Sequence, residues 1–110
     1  MATAYPIGLV GEQHYQAAIA ACSTGDPVQV WHEPDNPFDD QALAVADCDG
    51  RTLGYVPRSC FLREAVHDQG KGCQATILSI EDGHSSPFRH VTIEVELCDG
   101  PIRERGFGRA

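Results

Sequence analysis

The first 50 residues contain no lysine and no arginine, although they carry eight acids. All eight basic residues of the 110-residue chain lie after residue 50, and the formal net charge at pH 7 is −8. Nonspecific binding to duplex nucleic acid depends on many contacts from Lys and Arg to phosphates, so this composition disfavours it. Any nucleic-acid site in this protein must therefore be small and local.

The sequence also lacks a run of about 20 consecutive apolar residues, which is the length that a membrane span needs. Its first residues, from Met1 to Pro6, have neither the basic flank nor the long apolar region of a signal peptide. We therefore expect a cytosolic protein that has no membrane partner. With 110 residues, of which 42% are apolar, the chain is long enough for one domain with a single core and too short for two.

Closely spaced cysteine pairs and catalytic motifs are missing as well. The five cysteines are Cys22, Cys48, Cys60, Cys73 and Cys98. Without a CxxC pair they are more typical of reduced, mostly buried thiols than of a disulfide framework or a zinc knuckle. The chain has no HExxH, no GxSxG and no P-loop lysine after glycines, and His84 and His90 are best explained as solvated loop residues. We expect no cofactor, no metal and no enzymatic activity.

What the sequence does contain is a regular alternation of apolar and polar residues. It predicts about six strands, over residues 6–10, 28–32, 42–46, 52–56, 73–80 and 91–97. Two short helices are expected over residues 14–22, an Ala-rich segment, and 61–66, with Ser59 as the cap of the second and Gly70 at its end. Ten apolar residues are expected to face one core: Leu9, Val28, Val30, Leu43, Val45, Leu53, Ile77, Val91, Ile93 and Val95.

This order of elements predicts a mostly β protein, namely a small, twisted, antiparallel β-barrel of the OB or SH3-like type with two short helices. A doubly wound parallel sheet is not expected. We predict one domain over residues 1–100. Residues 101–110 carry Arg103, Arg105 and Arg109 among glycines, and they are expected to form a flexible basic tail.

The most informative segment is residues 33–39, Glu-Pro-Asp-Asn-Pro-Phe-Asp, which lies between two predicted strands. Proline fixes its own φ and favours extended geometry in the residue before it, so Phe38 and Asp39 are presented in a preset direction. Such a loop either holds a ligand or only locks a turn, with Phe38 covering the core. The residues of the loop alone leave both interpretations open.

Three segments together resemble the signature blocks of the HIRAN domain family. They are residues 10–15 (VGEQHY), residues 33–39 (EPDNPFD) followed by Ala42 and Val45, and residues 50–58 (GRTLGYVPR). Three blocks in the right order and spacing are far more specific than any one of them. Members occur at the N-terminus of fork-remodelling SNF2-type helicases and also as free-standing bacterial proteins. This chain resembles the free-standing bacterial members. The resemblance spans about residues 5–97 and implies an OB-like barrel with added helices.

The resemblance also implies a non-catalytic module that captures the free 3′ end of single-stranded DNA, linked to DNA repair or processing. His14 and Phe38 occupy the positions of the two aromatic residues that stack on the terminal bases in the family. Asp39 occupies the position of the aspartate that accepts a hydrogen bond from the 3′-hydroxyl. Phosphate contacts are implied for Tyr15, Tyr55 and Arg58. A role in shaping the loop or in binding the nucleotide is implied for Asn36.

Several residues depart from the family pattern. Gln13 occupies the place of an Arg, while His14 and Phe38 each occupy the place of a Tyr. One phosphate charge contact and two phenol hydroxyls are therefore missing, and we expect weak binding of the 3′ end of single-stranded DNA.

Structural roles remain open for the same positions. His14 could cap the first helix, Tyr15 and Tyr55 could fill the barrel, and Asp39 could cap the turn after Phe38. A second hypothesis for the whole chain is an acidic protein-interaction adaptor that binds no DNA end, with its acidic half facing a basic protein. Under either hypothesis a separately encoded helicase or nuclease is a candidate partner.

Overall fold

The computed structural model describes residues 3–83 and 87–107. The elements are β1 (Ala4–Gly8), a 3-10 turn (Glu12–His14), α1 (Gln16–Ala20), β2 (Pro27–His32), β3 (Leu43–Ala46), β4 (Thr52–Tyr55), α2 (Phe61–His67), β5 (Gly72–Asp82), β6 (Arg89–Cys98) and β7 (Arg103–Glu104). All six predicted strands and both predicted helices are present, with shifted ends. His84 lies outside the described residues. Within these residues no helix has the length and apolar content to cross a membrane.

Six strands form one curled antiparallel sheet in the order β1-β6-β5-β2-β3-β4. The long hairpin of β5 and β6 lies between β1 and β2 in this sheet, and a bulge between Ile77 and Ser79 bends the hairpin. With the two short helices, this arrangement confirms the predicted mostly β, OB-like fold class.

The two ends of the sheet meet just beyond β1. There Val10 and Tyr55 exchange backbone hydrogen bonds, each 2.9 Å from N to O. A Cβ on Gly54 would lie 2.9 Å from the carbonyl oxygen of Val10, so glycine lets the two backbones approach. Gly11, with a φ of 75°, then turns the chain into the 3-10 turn. The first and third sequence blocks therefore close the sheet.

All ten apolar residues predicted to face the core are buried. The helices complete this core with Ile19 from α1 and with Leu62 and Val66 from α2. The core therefore lies inside the curl of the sheet, and the loops that join the strands are left at its rim.

The five thiols are less buried than predicted. All five cysteines lie within the described residues and are free, but four are half-buried and Cys48 is exposed. Cys48 is exposed because it lies in the tight turn that joins β3 to β4, where Gly50 N donates to Asp47 O at 3.0 Å. Burial, with a smaller contribution from Cys98, raises the pKa of the Cys73 thiol to about 12.

The second helix begins at Phe61 as predicted, but its cap differs, and the first helix is shorter than predicted. Cys60, and not Ser59, is the N-cap of α2, and it makes no side-chain capping bond to a described residue. Ser59 is displaced because residues 57–60 form a turn in which Cys60 N donates to Pro57 O at 3.0 Å. The first helix is reduced to Gln16–Ala20 because the residues before it form the 3-10 turn. Gly70, with a φ of 68°, follows the end of α2.

Residues 103–107 do not form the free tail that the composition suggested. β7 pairs in parallel with β2 at Trp31 and His32, and Arg105 N donates to His32 O at 2.9 Å. The reason is that β2 pairs with β5 only at Pro27 and Val28, which leaves the edge of its second half open. Arg109 lies outside the described residues.

Candidate functional site

The loop between β2 and β3 is anchored by a buried carboxylate, that of Glu33, which is 0% exposed. Its Oε1 accepts hydrogen bonds from Asn36 Nδ2 at 3.1 Å and from the Tyr55 hydroxyl at 2.7 Å. Its Oε2 accepts one from Arg105 Nε at 2.9 Å. A buried charge is tolerated when it is paired and hydrogen-bonded. Glu33 therefore joins the loop to β4 and to the C-terminal segment.

Asn36 shapes the loop from within. Its side-chain oxygen accepts a hydrogen bond from Phe38 N at 2.9 Å, and its backbone N–H donates to Glu33 O at 3.1 Å. The residue is buried, so of its two implied roles the contacts favour shaping the loop. The result is that the side chain of Phe38 stands out from the surface, 78% exposed. Phe38 therefore does not cover the core.

Asp39 lies beside Phe38 and faces two arginines. Its Oδ1 accepts hydrogen bonds from Gln41 N at 3.1 Å and from Arg63 Nη2 at 2.9 Å. Its Oδ2 is 3.6 Å from Arg58 Nε, which leaves this oxygen able to accept a further hydrogen bond. Burial raises the pKa of Asp39, but the hydrogen bonds from Gln41 and Arg63 outweigh it and hold the pKa below its usual value. Asp39 is thus an ionised acceptor near neutral pH.

Arg58 bridges the two loop residues. Its Nη2 donates to Phe38 O at 3.0 Å while Nε approaches Asp39, and the side chain is still 72% exposed. An exposed guanidinium with further N–H donors can bind a phosphate. Arg63, in contrast, is 13% exposed and holds Asp39 in place.

A second aromatic group lies on the other side of Glu33. The ring centroids of His14 and Tyr15 are 6.2 Å apart, and those of Tyr15 and Tyr55 are 6.3 Å apart. His14 is exposed and the two tyrosines are half-buried. His14 does not cap α1, since Tyr15 is the N-cap and makes no side-chain capping bond to a described residue.

The Tyr55 hydroxyl is already engaged. Burial and, next, the carboxylate of Glu33 raise its pKa above the usual value, so its proton stays donated to Glu33. A phosphate contact needs that proton, and the geometry therefore favours a supporting role for Tyr55. Gln13 is exposed, and its side chain has no hydrogen-bond partner among the described residues.

Seven of the eight candidate residues are thus joined by successive contacts that also include Glu33. They are His14, Tyr15, Tyr55, Asn36, Phe38, Asp39 and Arg58. Gln13 is adjacent to them through the chain. In residues 3–83 and 87–107 no group of three or more His, Cys, Asp or Glu side chains could hold a metal ion.

One cavity adjoins this arrangement, and another lies apart from it. The first, of about 400 Å³, lies along α2 and includes Arg58, Arg63 and Gln41 in its lining. The other, of about 700 Å³, lies between β2, β5 and residues 98–103, and none of the eight candidate residues, all of them described, lines it. The smaller cavity is the one continuous with the candidate site.

Sequence reasoning assigned no role at the site to Glu33, Arg63, Arg105 or Phe107. Glu33 lies within a signature block, and its position between a strand and a proline gave no sign of burial. Arg105 lies 72 residues away from Glu33, so local pattern carries no signal for their pairing. The ring of Phe107 lies 6.2 Å from that of Phe38, again through a contact that spacing cannot predict.

The chain is thus a small OB-like barrel that presents an exposed aromatic ring, an ionised carboxylate and an arginine on its rim. The chain belongs to the HIRAN domain family, whose family model matches residues 5–82. A comparison with curated protein sequences finds no match.

Solved structures of HIRAN domains have the same fold. The HIRAN domain of human HLTF matches with a TM-score of 0.63 and 16% identity, over 89% of this chain and 76% of that one. An NMR structure of that domain in its DNA-bound conformation gives a TM-score of 0.60 at 16% identity, over 86% and 73%. A protein from Lactobacillus plantarum matches with a TM-score of 0.61 and 22% identity, over 87% and 97%.

Proposed function

We propose that this HIRAN domain is a non-catalytic module that binds the free 3′-hydroxyl end of single-stranded DNA. The observation that carries the proposal is the position of the Arg58 guanidinium, which donates to the backbone oxygen of Phe38 and lies 3.6 Å from Oδ2 of Asp39. It brings an exposed cation and a carboxylate oxygen next to the residue whose ring is exposed, Phe38. The DNA-bound conformation of the human HLTF HIRAN domain supports the proposal. The module serves DNA repair or processing together with a separately encoded helicase or nuclease.

Each group has one task in this proposal. The terminal base stacks on Phe38, an interaction that contributes about 1–3 kcal/mol and tolerates any base. The 3′-hydroxyl donates to Oδ2 of Asp39, and Arg58 contacts the phosphate on the 5′ side of that nucleotide. His14 provides a second stacking ring, and Tyr15 contacts phosphate.

Asp39 provides the preference for a free end. A carboxylate accepts a hydrogen bond from a hydroxyl but repels a phosphate at the same place. A strand that ends in a 3′-phosphate, or an internal stretch of a strand, therefore binds less well. Binding is weak, micromolar or poorer, because Gln13 offers no charge and the chain carries −8 overall.

The test is a titration of labelled single strands at low salt, read by fluorescence anisotropy. Strands of one sequence that end in 3′-hydroxyl or 3′-phosphate are compared with a blunt duplex. We expect the 3′-hydroxyl strand to bind best. If none of the three binds even at low salt, the proposal fails, and the acidic protein-interaction module takes its place.

Single substitutions test the role proposed for each side chain. Phe38→Ala should weaken binding by about 1–3 kcal/mol through lost stacking. Arg58→Ala should flatten the salt dependence of the dissociation constant. Lys71→Ala is the matched control because it also removes one positive charge, and Lys71 pairs with Asp99, which is not a residue of the site. If Lys71→Ala flattens the salt dependence equally, Arg58 has no local role.

A further inference from the structure

Residues 103–107 contact the loop of residues 33–39 at three separate points. Arg105 Nε lies 2.9 Å from Glu33 Oε2, and Phe107 N donates to Asp35 Oδ1 at 2.9 Å. The rings of Phe107 and Phe38 meet edge to face, with centroids 6.2 Å apart at 70°. The segment lies beyond residues 5–82, which the family model matches. It is therefore a feature that the family match does not explain.

The segment is firmly anchored. The side chain of Arg105 is 11% exposed and spans three partners: besides Glu33, it donates to Thr52 Oγ1 at 2.5 Å and to Gly50 O at 3.3 Å. β7 pairs with β2 immediately before it. Phe107, two residues after Arg105, is thus held at a fixed place beside the loop.

The two phenylalanine rings share one exposed surface. Phe107 is 40% exposed and Phe38 is 78% exposed although they touch, so Phe107 does not cover Phe38. Single exposed apolar residues are normal on a protein surface, whereas adjoining ones that form a patch more often mark an interaction site. Two adjoining rings at a wide angle offer separate faces to two successive bases.

We propose that Phe107 is a further base-stacking residue, which contacts the nucleotide next to the one on Phe38, and that Arg105 is its positioning residue. The inference rests on the proposed function, since it extends the same DNA site by one nucleotide. Its ligand is the penultimate base of a single strand with a free 3′ end.

The test compares Phe107→Leu with wild-type protein. Leucine keeps an apolar contact with Phe38 but has no aromatic face, so a merely structural role is preserved. We expect at least about fivefold weaker binding of a (dT)6 strand with a 3′-hydroxyl. Binding of thymidine 5′-monophosphate, which offers a 3′-hydroxyl and a single base, should be unchanged in an NMR titration. Tyr5→Leu is the matched control, because Tyr5 is 37% exposed on β1 and its ring packs against Phe61 and not against the site.

A second variant gives a direct signal. The sequence contains one tryptophan, Trp31, so Phe107→Trp adds a second indole whose fluorescence can be separated from that of Trp31 by comparison with wild-type protein. Stacking on a base should quench the added emission when (dT)6 binds, while affinity is retained.

The outcomes separate the two proposals. If wild-type protein binds (dT)6 and Phe107→Leu binds it as well as Tyr5→Leu does, the inference is wrong and the proposed function stands. If Phe107→Leu weakens thymidine 5′-monophosphate as much as (dT)6, Phe107 has a general structural role and the inference is again wrong. If wild-type protein binds neither ligand, the proposed function fails and the inference fails with it.

Discussion

At the scale of single residues, Asp39 has a structural role and a proposed binding role. Its Oδ1 accepts a hydrogen bond from Gln41 N, so Asp39 does cap the turn after Phe38, which was one of the roles left open by the sequence. The same oxygen also pairs with Arg63. Its Oδ2 is more lightly engaged, 3.6 Å from Arg58 Nε. The two roles use different oxygens, so the structural one does not exclude the binding one.

The pH dependence of stability tests the ionisation of Asp39. Its folded-state pKa is below the usual 3.8, so the ionised group stabilises the fold above about pH 4. That contribution is lost as the pH falls through the folded-state pKa. Relative to wild type, Asp39→Asn should therefore lower the free energy of unfolding at pH 7, and the difference should shrink below pH 4.

Denaturant melts at several pH values measure this difference. Asp40→Asn is the matched control, since the Asp40 carboxylate is exposed and has no hydrogen-bond partner among the described residues. A loss of stability in Asp39→Asn that is the same at pH 3 and pH 7 would contradict the assignment.

At the scale of elements, the loop of residues 33–39 depends on a segment that follows it by some 70 residues in sequence. The prolines and Asn36 predicted a rigid loop, and the bonds from Asn36 to Glu33 and Phe38 agree with that prediction. The ion pair between Glu33 and Arg105, which anchors the loop, could not be predicted, because the pattern of charges along the sequence does not reveal a long-range partner. The pairing of Arg103 and Glu104 with β2 could not be predicted either, because it too joins segments that are distant in sequence.

Removing Arg105 should destabilise the protein. Arg105→Met leaves the carboxylate of Glu33 buried without its charge partner, which typically costs about 3–5 kcal/mol. The double variant Glu33→Gln, Arg105→Met should recover part of the loss, since it removes the unpaired charge. Urea unfolding measures both variants. If the double variant loses the sum of the two single losses, Glu33 and Arg105 are not coupled.

The closure of the sheet should not tolerate a side chain at Gly54. In Gly54→Ala the new Cβ would lie 2.9 Å from Val10 O, so either β4 or the bridge to Val10 must shift, at a cost of about 1–3 kcal/mol. Gly8→Ala in β1 is the control, because no atom lies within 4 Å of the Cβ added there. Equal thermal midpoints for the two variants would show that the bridge does not depend on Gly54.

At the scale of the whole molecule, the sequence predicted the core and the strands well because both depend on local alternation. All ten expected core residues, from Leu9 to Val95, are buried. The candidate site was predicted less completely. The three blocks named residues that the fold does bring together, but Arg63, Arg105 and Phe107 enter through contacts between distant segments.

Truncating the core should destabilise the whole barrel. Ile93 is 0% exposed at the centre of β6, and Ile93→Ala should cost about 2–5 kcal/mol. Leu78→Ala is the matched control, since Leu78 is 42% exposed beside the bulge of β5 and should change stability by about 0.5 kcal/mol or less. Thermal denaturation followed by circular dichroism measures both. An unchanged melting temperature in Ile93→Ala would contradict the assigned core.

The capture of a free 3′ end is tested most directly by one ratio, the dissociation constant for a 3′-phosphate strand divided by that for a 3′-hydroxyl strand of the same sequence. Under the proposed function, wild-type protein should give a ratio well above one, because Oδ2 of Asp39 would accept the hydroxyl and repel the phosphate. Asp39→Asn should bring the ratio close to one, while Asp40→Asn leaves it unchanged. A wild-type ratio of one, or a ratio that Asp39→Asn leaves unaltered, would contradict end capture by this loop.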